Sequence, residues 1–500
     1  MSRAARVPNP VVMAARFLAR LVPFAALMLA GCGNSDKGTM QIAWIGGEDS
    51  LFASGNRLSP GAQHLRGATE WGLVTLDAQG EVIPALAERW IITDDGLSFI
   101  FRLREQTLPD GQAMDSATVR RSLQRAIAGL KGTAFGLDLV PITDIRAMAG
   151  RVIEIRLSAP VPDLLNLLAQ PELALQSAAG GTGPMVMIRD GAIAHLTFRP
   201  PLARGLRDMP GWEADVRQLD LIAARAARAM TLFDENKVQV VLGGQIGQLP
   251  LVDTGPLSRG NIRLDPAMGL FGLRVHRAEG LLASAEGREA LAMALDREAL
   301  LARYNVGGWV ETTRVVAPGL PGDSGQVAER WPDTDLAQLR AQAAARVRAA
   351  QNGEGPVTLS LSIGRAAGDA LLLRDLAAQF ATIGVRLVRA ESEAKADLVL
   401  VDEVARYRDP RWFLNQFNCS LRRGLCDEDA DYLVEVAQET IDPRERGGLL
   451  ADAENTLIAA NIFIPIGAPL RWSLVRGSVT GYQPNAYAVH PLPPMAEIPR

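Results

Sequence analysis

The chain has 500 residues, of which 48% are hydrophobic and 22% are charged. This length exceeds what one hydrophobic core usually holds, so two or more domains are expected. The composition excludes a disordered chain and a protein with many membrane spans. The formal net charge is −4. The first 31 residues contain arginines and no acid, so the remainder is more acidic, which argues against non-specific nucleic-acid binding.

Residues 1–31 have the pattern of a lipoprotein signal peptide. A basic start precedes the apolar run 21–30, which is too short to span a bilayer. The run ends in Leu-Ala-Gly-Cys, which resembles a lipobox in which Cys32 takes the lipid. The alternative is a plain secretory signal followed by an incidental cysteine. Residues 32–40 then form a flexible tether, and the sequence predicts an exported protein held at a membrane by its N-terminal lipid.

The block of residues 71–130 shows the clearest local pattern. Three turn signals place Gly80, Gly96 and Gly111 where a tight turn favours a positive φ. Between the second and third turns, apolar and polar residues alternate from 97 to 104, which predicts a half-buried strand. After the third turn, Asp115 is placed to cap a helix whose apolar residues recur at helical spacing.

The order of residues in this block resembles the extracytoplasmic solute-binding proteins of peptide/nickel ABC importers. The matching residues include Asp77, Gly80, Pro84, Leu86, Ala87, Trp90, Asp94, Asp95, Gly96, Leu97, Phe99, Phe101, Leu103, Arg104, Asp110 and Gly111. Later segments also match, among them Gly-Thr-Gly-Pro at 181–184, the helix pattern 288–297 and Asp-Pro-x-x-Phe at 409–413. The likeness extends over roughly residues 42–485.

The resemblance implies an α/β architecture, a type II periplasmic-binding-protein fold. Two lobes would be joined by a hinge, and an extra domain would be inserted into the first lobe. The expected boundaries are 41–60, 178–267 and 477–500 for lobe I, 61–177 for the inserted domain and 268–476 for lobe II.

The loop that follows the predicted buried strand 396–401 is the main candidate for ligand contact. Ligands of open α/β folds bind beyond the carboxyl ends of strands. In peptide-binding relatives an aspartate three residues before Asp409 pairs with the ligand's ammonium, and this position holds Arg406. A guanidinium suits carboxylate or phosphate, so we hypothesise an anionic group on the ligand. Two alternatives stay open: Arg406 is a solvated charge, or Asp402 or Glu403 does the aspartate's work.

Four further residues complete the predicted ligand-binding set. Tyr407 and Trp412 are expected to wall the site, although a tryptophan before Phe413 equally suits the core. Asp409 belongs to the motif, and His276 stands at a strand end where relatives commonly have asparagine, a position that more often has a structural role.

Cys419 and Cys426 form an even pair that closes a short loop. After export, such a pair favours a disulfide over two free thiols, and dipeptide-binding relatives carry a disulfide after the ligand loop. A zinc site is the rival, but the four histidines show no ligand spacing.

These patterns predict a substrate-binding lipoprotein of an ABC importer that captures peptides or a related small solute by hinge closure. Its expected partners are the ligand, importer permease subunits and a membrane, but not nucleic acid, and a monomer is expected. No catalytic residues, cofactor or metal are predicted, because no nucleophile elbow, phosphate loop or dinucleotide fingerprint occurs. The set Glu403, Arg406 and Asp409 is too generic to indicate an envelope enzyme. A non-transport envelope lipoprotein, a sensor or chaperone on the same fold, is the alternative.

Overall fold

The computed structural model describes residues 38–176, 180–252, 259–351 and 355–498. The predicted signal peptide and Cys32 lie outside these ranges, as does most of the tether. No helix within the described ranges is long and apolar enough to cross a membrane.

The described residues form eighteen strands in four sheets. In chain order, β1–β9 are Met40–Ile45, Val74–Leu76, Val82–Pro84, Ala87–Ile92, Ser98–Leu103, Ile142–Ala147, Val152–Leu157, Met185–Asp190 and Ile193–Phe198. Strands β10–β18 are Leu219–Ala224, Val240–Gln245, Ile262–Asp265, Gly269–Val275, Val357–Ser362, Val385–Arg389, Leu398–Val404, Phe463–Gly467 and Arg471–Val475.

Fourteen α-helices occur in the same ranges. Helices α1–α7 are Glu48–Leu51, Pro60–Thr69, Ser116–Gly129, Ala134–Asp138, Leu164–Leu168, Ala226–Asp234 and Ala285–Ala294. Helices α8–α14 are Arg297–Ala302, Leu336–Gln351, Ala367–Ala381, Pro410–Asn415, Glu428–Glu439, Pro443–Ala460 and Leu492–Ala496.

The seven-stranded sheet has the order β12-β18-β11-β1-β10-β9-β8. Strand β1 lies near its centre and pairs in parallel with both β10 and β11. Its side chains are buried on both faces, with Ile42 and Ala43 fully enclosed, as expected for a strand covered by helices on both sides. The sheet therefore combines strands from the beginning, middle and end of the chain.

The five-stranded sheet has the order β15-β14-β16-β13-β17. Strands β14, β15 and β16 are parallel, and β13 is antiparallel to β16 and β17. Two segments cross between this sheet and the seven-stranded one, between β12 and β13 and between β17 and β18. Both crossings are short.

The four-stranded sheet has the order β4-β5-β7-β6 and is antiparallel throughout. The predicted alternating strand is β5, in which Phe99, Phe101 and Leu103 are buried. The predicted helix is α3, and the Asp115 carboxylate caps it by accepting from the Thr118 amide at 2.7 Å. Both local predictions are confirmed.

The expected domain bounds stay a prediction, and the sheets divide the chain as follows. The residues of the four-stranded sheet fall in the predicted insertion, and β13–β17 fall in predicted lobe II. Strand β18, however, pairs with β11 and β12 in the seven-stranded sheet. The predicted boundary at residue 476 therefore lies after this strand, whereas the sheet pairing places the crossing before Arg471.

Close backbone contact explains the Gly-Thr-Gly-Pro segment. A Cβ added at Gly181 would lie 2.0 Å from the carbonyl oxygen of Thr69, and one at Gly183 would lie 2.5 Å from the carbonyl carbon of Thr69. The Gly183 amide donates to that Thr69 oxygen at 2.8 Å. The two glycines thus let the chain return alongside α2 before it enters β8.

Candidate ligand-binding cavity

A cavity of about 850 Å³ lies between the seven-stranded and five-stranded sheets. Its walls include residues at or just after the carboxyl ends of three strands. These are Gly46 after β1, Gln245 at the end of β11 and Ala405 after β16. Ligands of open α/β folds bind at such ends. Residues between β5 and β8, among them Phe135 and Glu172, close another side. The volume is in the range typical of small-molecule sites.

Arg406 lines this cavity but is not a free charge. Its Nη1 lies 2.7 Å from Oε1 of Glu172, and its guanidinium carbon lies 5.6 Å from the ring centroid of Phe135. About a quarter of the Arg406 side chain is exposed, at 26%. The carbonyl oxygen of Arg406 also accepts from Gln170 Nε2 at 3.2 Å. Arg406 thereby ties the loop after β16 to the opposite wall.

Glu172 is a cavity residue that the sequence analysis missed. It lies in the short 3₁₀ turn Pro171–Leu173, and its side chain is only 2% exposed. Gln63 Nε2 donates to the same Oε1 at 3.1 Å, whereas Oε2 has no partner among the described residues. No local pattern marks this glutamate, because its partner Arg406 is 234 residues away in the chain.

The two acids considered as alternatives to Arg406 also line the cavity. Asp402 Oδ1 pairs with Nη1 of Arg471 at 2.6 Å, and the Asp402 carbonyl accepts from Nη2 of the same arginine at 2.8 Å. Asp402 is therefore engaged by β18 across the gap between the two sheets. Glu403 is half-buried and follows it in β16.

Trp412 and Asp409 have different positions relative to the cavity. Trp412 lies on α11, lines the cavity and is 4% exposed, with its ring edge-to-face against Phe413. Asp409 does not line the cavity. Its carboxylate caps α11 by accepting from the Arg411 amide at 2.8 Å and pairs with Nε of Arg411 at 3.2 Å. Trp412 is thus both a wall and a core residue.

Tyr407 and His276 also lie away from the cavity lining. Tyr407 is fully buried and faces Asp138 at the end of α4. The Nδ1 atom of His276 lies 3.2 Å from the carbonyl oxygen of Arg423. His276 follows β13, and this contact joins it to the loop that contains the cysteine pair. The ligand-binding role predicted for these residues stays a prediction.

Cys419 and Cys426 form a disulfide with a Cα–Cα distance of 5.2 Å. The loop that it closes contributes Leu421 and Arg423 to the cavity wall. Arg423 Nη1 donates to Oε1 of Gln416 at 3.2 Å. The disulfide therefore limits how far this part of the wall can move.

A buried histidine, His64, lies on α2 and contacts the segment around His490. His64 Nδ1 donates to the Pro60 carbonyl at 2.7 Å, and its Nε2 accepts from the His490 amide at 3.0 Å. Burial lowers the pKa of His64 to about 4, with a further contribution from the nearby His490. In the His490 side chain, Nε2 lies 3.2 Å from Oδ2 of Asp265. Burial therefore favours the neutral His64 ring, although the hydrogen bond to Pro60 acts in the opposite direction.

Comparison with known proteins identifies the family of this chain. The sequence model of the bacterial extracellular solute-binding proteins, family 5 (middle region), matches residues 81–423. This chain belongs to that family. The family consists of solute-binding proteins rather than enzymes, and its members act outside the cytoplasm.

Sequence relatives and solved structures agree with this assignment. The probable di/tripeptide-binding protein 5 of Pseudomonas aeruginosa is 23% identical over 471 residues, which is 83% of this chain and 87% of that protein. The fold matches OppA of Haemophilus influenzae, in complex with the peptide RPPGFSPFR, with a TM-score of 0.79 at 16% identity. It also matches the murein tripeptide binding protein MppA of Escherichia coli, with a TM-score of 0.75 at 18% identity. Each match covers 92% of this chain and 99% of the other.

The fold prediction is confirmed by these structures, which support a type II periplasmic-binding-protein architecture with two lobes and an inserted domain. The predicted family is confirmed as well.

Proposed function

We propose that this protein captures a peptide or a related small solute in the cavity and delivers it to an ABC importer. The observation that carries the proposal is a cavity of about 850 Å³ between two sheets that are linked by short crossings. Bending at the crossings would open the cavity, and a ligand that contacts both walls would favour the closed state. The peptide-binding names of the relatives support the ligand class.

The protein would act in the cell envelope as a monomer, anchored through a lipid on Cys32. The charge pattern of the first 31 residues and the Leu-Ala-Gly-Cys sequence support this anchor. Delivery would then involve the permease subunits of the importer, which the closed form would meet at the membrane surface.

Arg406 would contact an anionic group of the ligand. A guanidinium has five N–H donors, and the contact with Glu172 is made through Nη1. The partly exposed face of the side chain is the part that can approach a ligand carboxylate or phosphate. Glu172 would then hold the guanidinium in place, and its carboxylate would offset part of the positive charge of Arg406.

A melting screen of the full chain tests the proposal. Four classes of ligand are tested one class at a time: di- and tripeptides, opine-like acids, sugar phosphates and nickel chelates. A ligand present at 100 times its dissociation constant adds about 2.7 kcal/mol to the free energy of unfolding, which is a clear shift. Stabilisation by at least one class supports solute capture, whereas a flat screen favours a non-transport envelope lipoprotein that acts as a sensor or chaperone.

The same screen separates the ligand classes. If only anionic ligands stabilise the protein and Arg406→Gln abolishes the shift, the role of Arg406 is supported. If ordinary dipeptides stabilise the wild type and the Arg406→Gln variant equally, Arg406 does not contact the ligand and a plain peptide-binding protein remains.

A further inference from the structure

Four acids line the cavity among the described residues, and two of them are paired with an arginine of the same wall. Glu172 pairs with Arg406 at 2.7 Å, and Asp402 pairs with Arg471 at 2.6 Å. In each pair the carboxylate offsets the positive charge of its arginine. These four residues therefore add little net charge to the cavity.

The other two acids are engaged by groups behind or beside the wall. Oδ1 of Asp265 accepts from the Asn485 amide at 3.0 Å, and Oδ2 lies 3.2 Å from Nε2 of His490. Glu403 lies near Arg274, which is 7% exposed and does not line the cavity. Burial lowers the pKa of Arg274, and the Glu403 carboxylate acts in the opposite direction. Each acid of the wall thus has its own positive or hydrogen-bonding neighbour.

Two further arginines line the cavity and have no ion pair among the described residues. Arg57 lies between α1 and α2 and is exposed, whereas Arg423 lies in the disulfide loop and is half-buried. The chain beyond residue 31 is acidic overall, so an excess of cations on this wall is a local feature and does not follow from composition. The walls of a cleft focus such a field and raise the local concentration of anions.

The backbone around Arg423 is held against the end of β13. The disulfide closes the loop, and the Arg423 carbonyl oxygen lies 3.2 Å from Nδ1 of His276. A Cβ added at Gly424 would lie 2.6 Å from the carbonyl oxygen of Val275, and the Leu425 amide donates to that oxygen at 2.9 Å. These contacts fix the point from which the Arg423 side chain extends.

The Arg423 side chain is oriented but keeps free donors. Its Nη1 donates to Oε1 of Gln416 at 3.2 Å, and Gln416 also lines the cavity. Nε and Nη2 make no hydrogen bond within the described residues. A guanidinium presents its N–H donors in a planar fork that matches a carboxylate or a phosphate. Because Arg423 is already held in place, less conformational entropy is lost when it binds such a group.

We propose that the cavity selects solutes with a net negative charge and that Arg423 is the residue that determines this selection. The inference rests on the proposed solute capture and deepens it by naming the charge class of the ligand. Arg423 binds a carboxylate or phosphate group of the solute, and Arg57 adds a second positive charge at the wall. Arg406 contributes less to the selection, because Glu172 offsets its charge.

Matched tripeptides test the selection with the full chain. Ala-Glu-Ala, Ala-Gln-Ala and Ala-Lys-Ala are similar in size and differ in net charge, and ribose phosphate against ribose supplies a phosphate arm. Titration calorimetry gives the Kd of each. Ala-Glu-Ala is expected to bind at least about tenfold more tightly than Ala-Gln-Ala, and Ala-Lys-Ala more weakly than both. This preference should shrink between about 20 mM and about 500 mM salt, because salt screens the charges.

Three variants assign the selection to one side chain. Arg423→Gln should make the affinities for Ala-Glu-Ala and Ala-Gln-Ala nearly equal, whereas Arg423→Lys keeps the charge and should retain part of the preference. Arg422→Gln is the matched control, because Arg422 is exposed in the same loop and does not line the cavity. This control is expected to keep the wild-type ratio of affinities. A purely structural role of Arg423 would instead weaken all ligands alike and leave the ratio unchanged.

The outcomes separate the two proposals. Equal affinities for charged and neutral ligands, or a preference that persists unchanged in Arg423→Gln, overturn the charge selection and leave solute capture in place. Binding of ribose phosphate without the tripeptides supports the selection and identifies the anion as a phosphate. If none of the tripeptides and neither ribose compound binds, solute capture is contradicted and the selection falls with it.

Discussion

Nη1 of Arg406 lies 2.7 Å from Oε1 of Glu172, which joins the loop after β16 to the opposite wall of the cavity. The arginine is partly exposed, while the glutamate is almost completely buried. A buried carboxylate without a counterion is costly, so the arginine has a structural task in addition to any contact with a ligand.

Replacing this arginine should destabilise the protein through Glu172. We expect Arg406→Gln to lower the free energy of unfolding at neutral pH by about 1–3 kcal/mol, because a buried acceptor loses its charged donor. The double variant Arg406→Gln/Glu172→Gln should recover most of this loss, since no buried charge remains. Denaturant titration of the wild type, Arg406→Gln, Glu172→Gln and the double variant measures the coupling. Arg408→Gln, at an exposed neighbouring position, is the control, and additive effects in the double variant would contradict the coupling.

The buried pair of Arg314 and Glu454 should matter more than any surface pair. Glu454 is 2% exposed, accepts from Nη2 of Arg314 at 2.8 Å, and also accepts from the Val315 and Val316 amides. Glu454→Ala would leave Arg314 with Asp323 as its remaining acid and would leave two buried amides without their acceptor. We expect a loss of about 3–5 kcal/mol in denaturant unfolding.

A surface pair supplies the comparison for that measurement. Arg102 and Glu88 are 2.9 Å apart, but both side chains are well exposed, at 44% and 38%. Arg102→Ala should therefore change the free energy of unfolding by about 1 kcal/mol or less. Similar losses for Glu454→Ala and Arg102→Ala would show that burial does not strengthen the Arg314 pair.

His64 should make the protein less stable in acid. Its pKa is lowered to about 4 in the folded protein, against an ordinary 6.5, so the unfolded chain binds the extra proton more readily. His64 therefore contributes full stability above about pH 6.5, and this contribution is lost as the pH falls toward about 4. In His64→Gln the loss between pH 7 and pH 5 should be smaller than in the wild type. Equal slopes of unfolding free energy against pH would refute this origin.

Removing the disulfide should lower stability and loosen one cavity wall. The bridge closes a loop with a sequence separation of 7, for which chain entropy gives a stabilisation of about 2–3 kcal/mol. We expect Cys419→Ser/Cys426→Ser to lose about this amount in denaturant titration. Hydrogen exchange of the amides around Leu421 and Arg423 should become faster than in the wild type. Unchanged exchange there would mean that hydrogen bonds alone hold this wall.

The sequence specified the local elements and the family, because both depend on ordered patterns along the chain. The strand around Phe101 and the Asp115 cap are visible as alternation and as a helix-start residue. Asp409-Pro410 also has the pattern of a helix start, since aspartate favours the cap and proline the first turn. The structure places Asp409 in that role.

The contacts within the cavity could not be predicted in the same way. Arg406 faces the cavity while the next residue, Tyr407, is directed into the core, and a loop has no regular period that would show this. Glu172 meets Arg406 only because the two walls come together in the fold. Pairings across such long separations depend on tertiary packing, for which one sequence offers no local signal.

The central position of β1 has a consequence for how the molecule is made. Its neighbours β10 and β11 begin about 180 and about 200 residues later in the chain, and β18 completes this part of the sheet near the end. Loop-closure entropy must be overcome before these pairings form, so folding is expected to be slow. The seven-stranded sheet therefore cannot be completed until β18, near the end of the chain, has been synthesised.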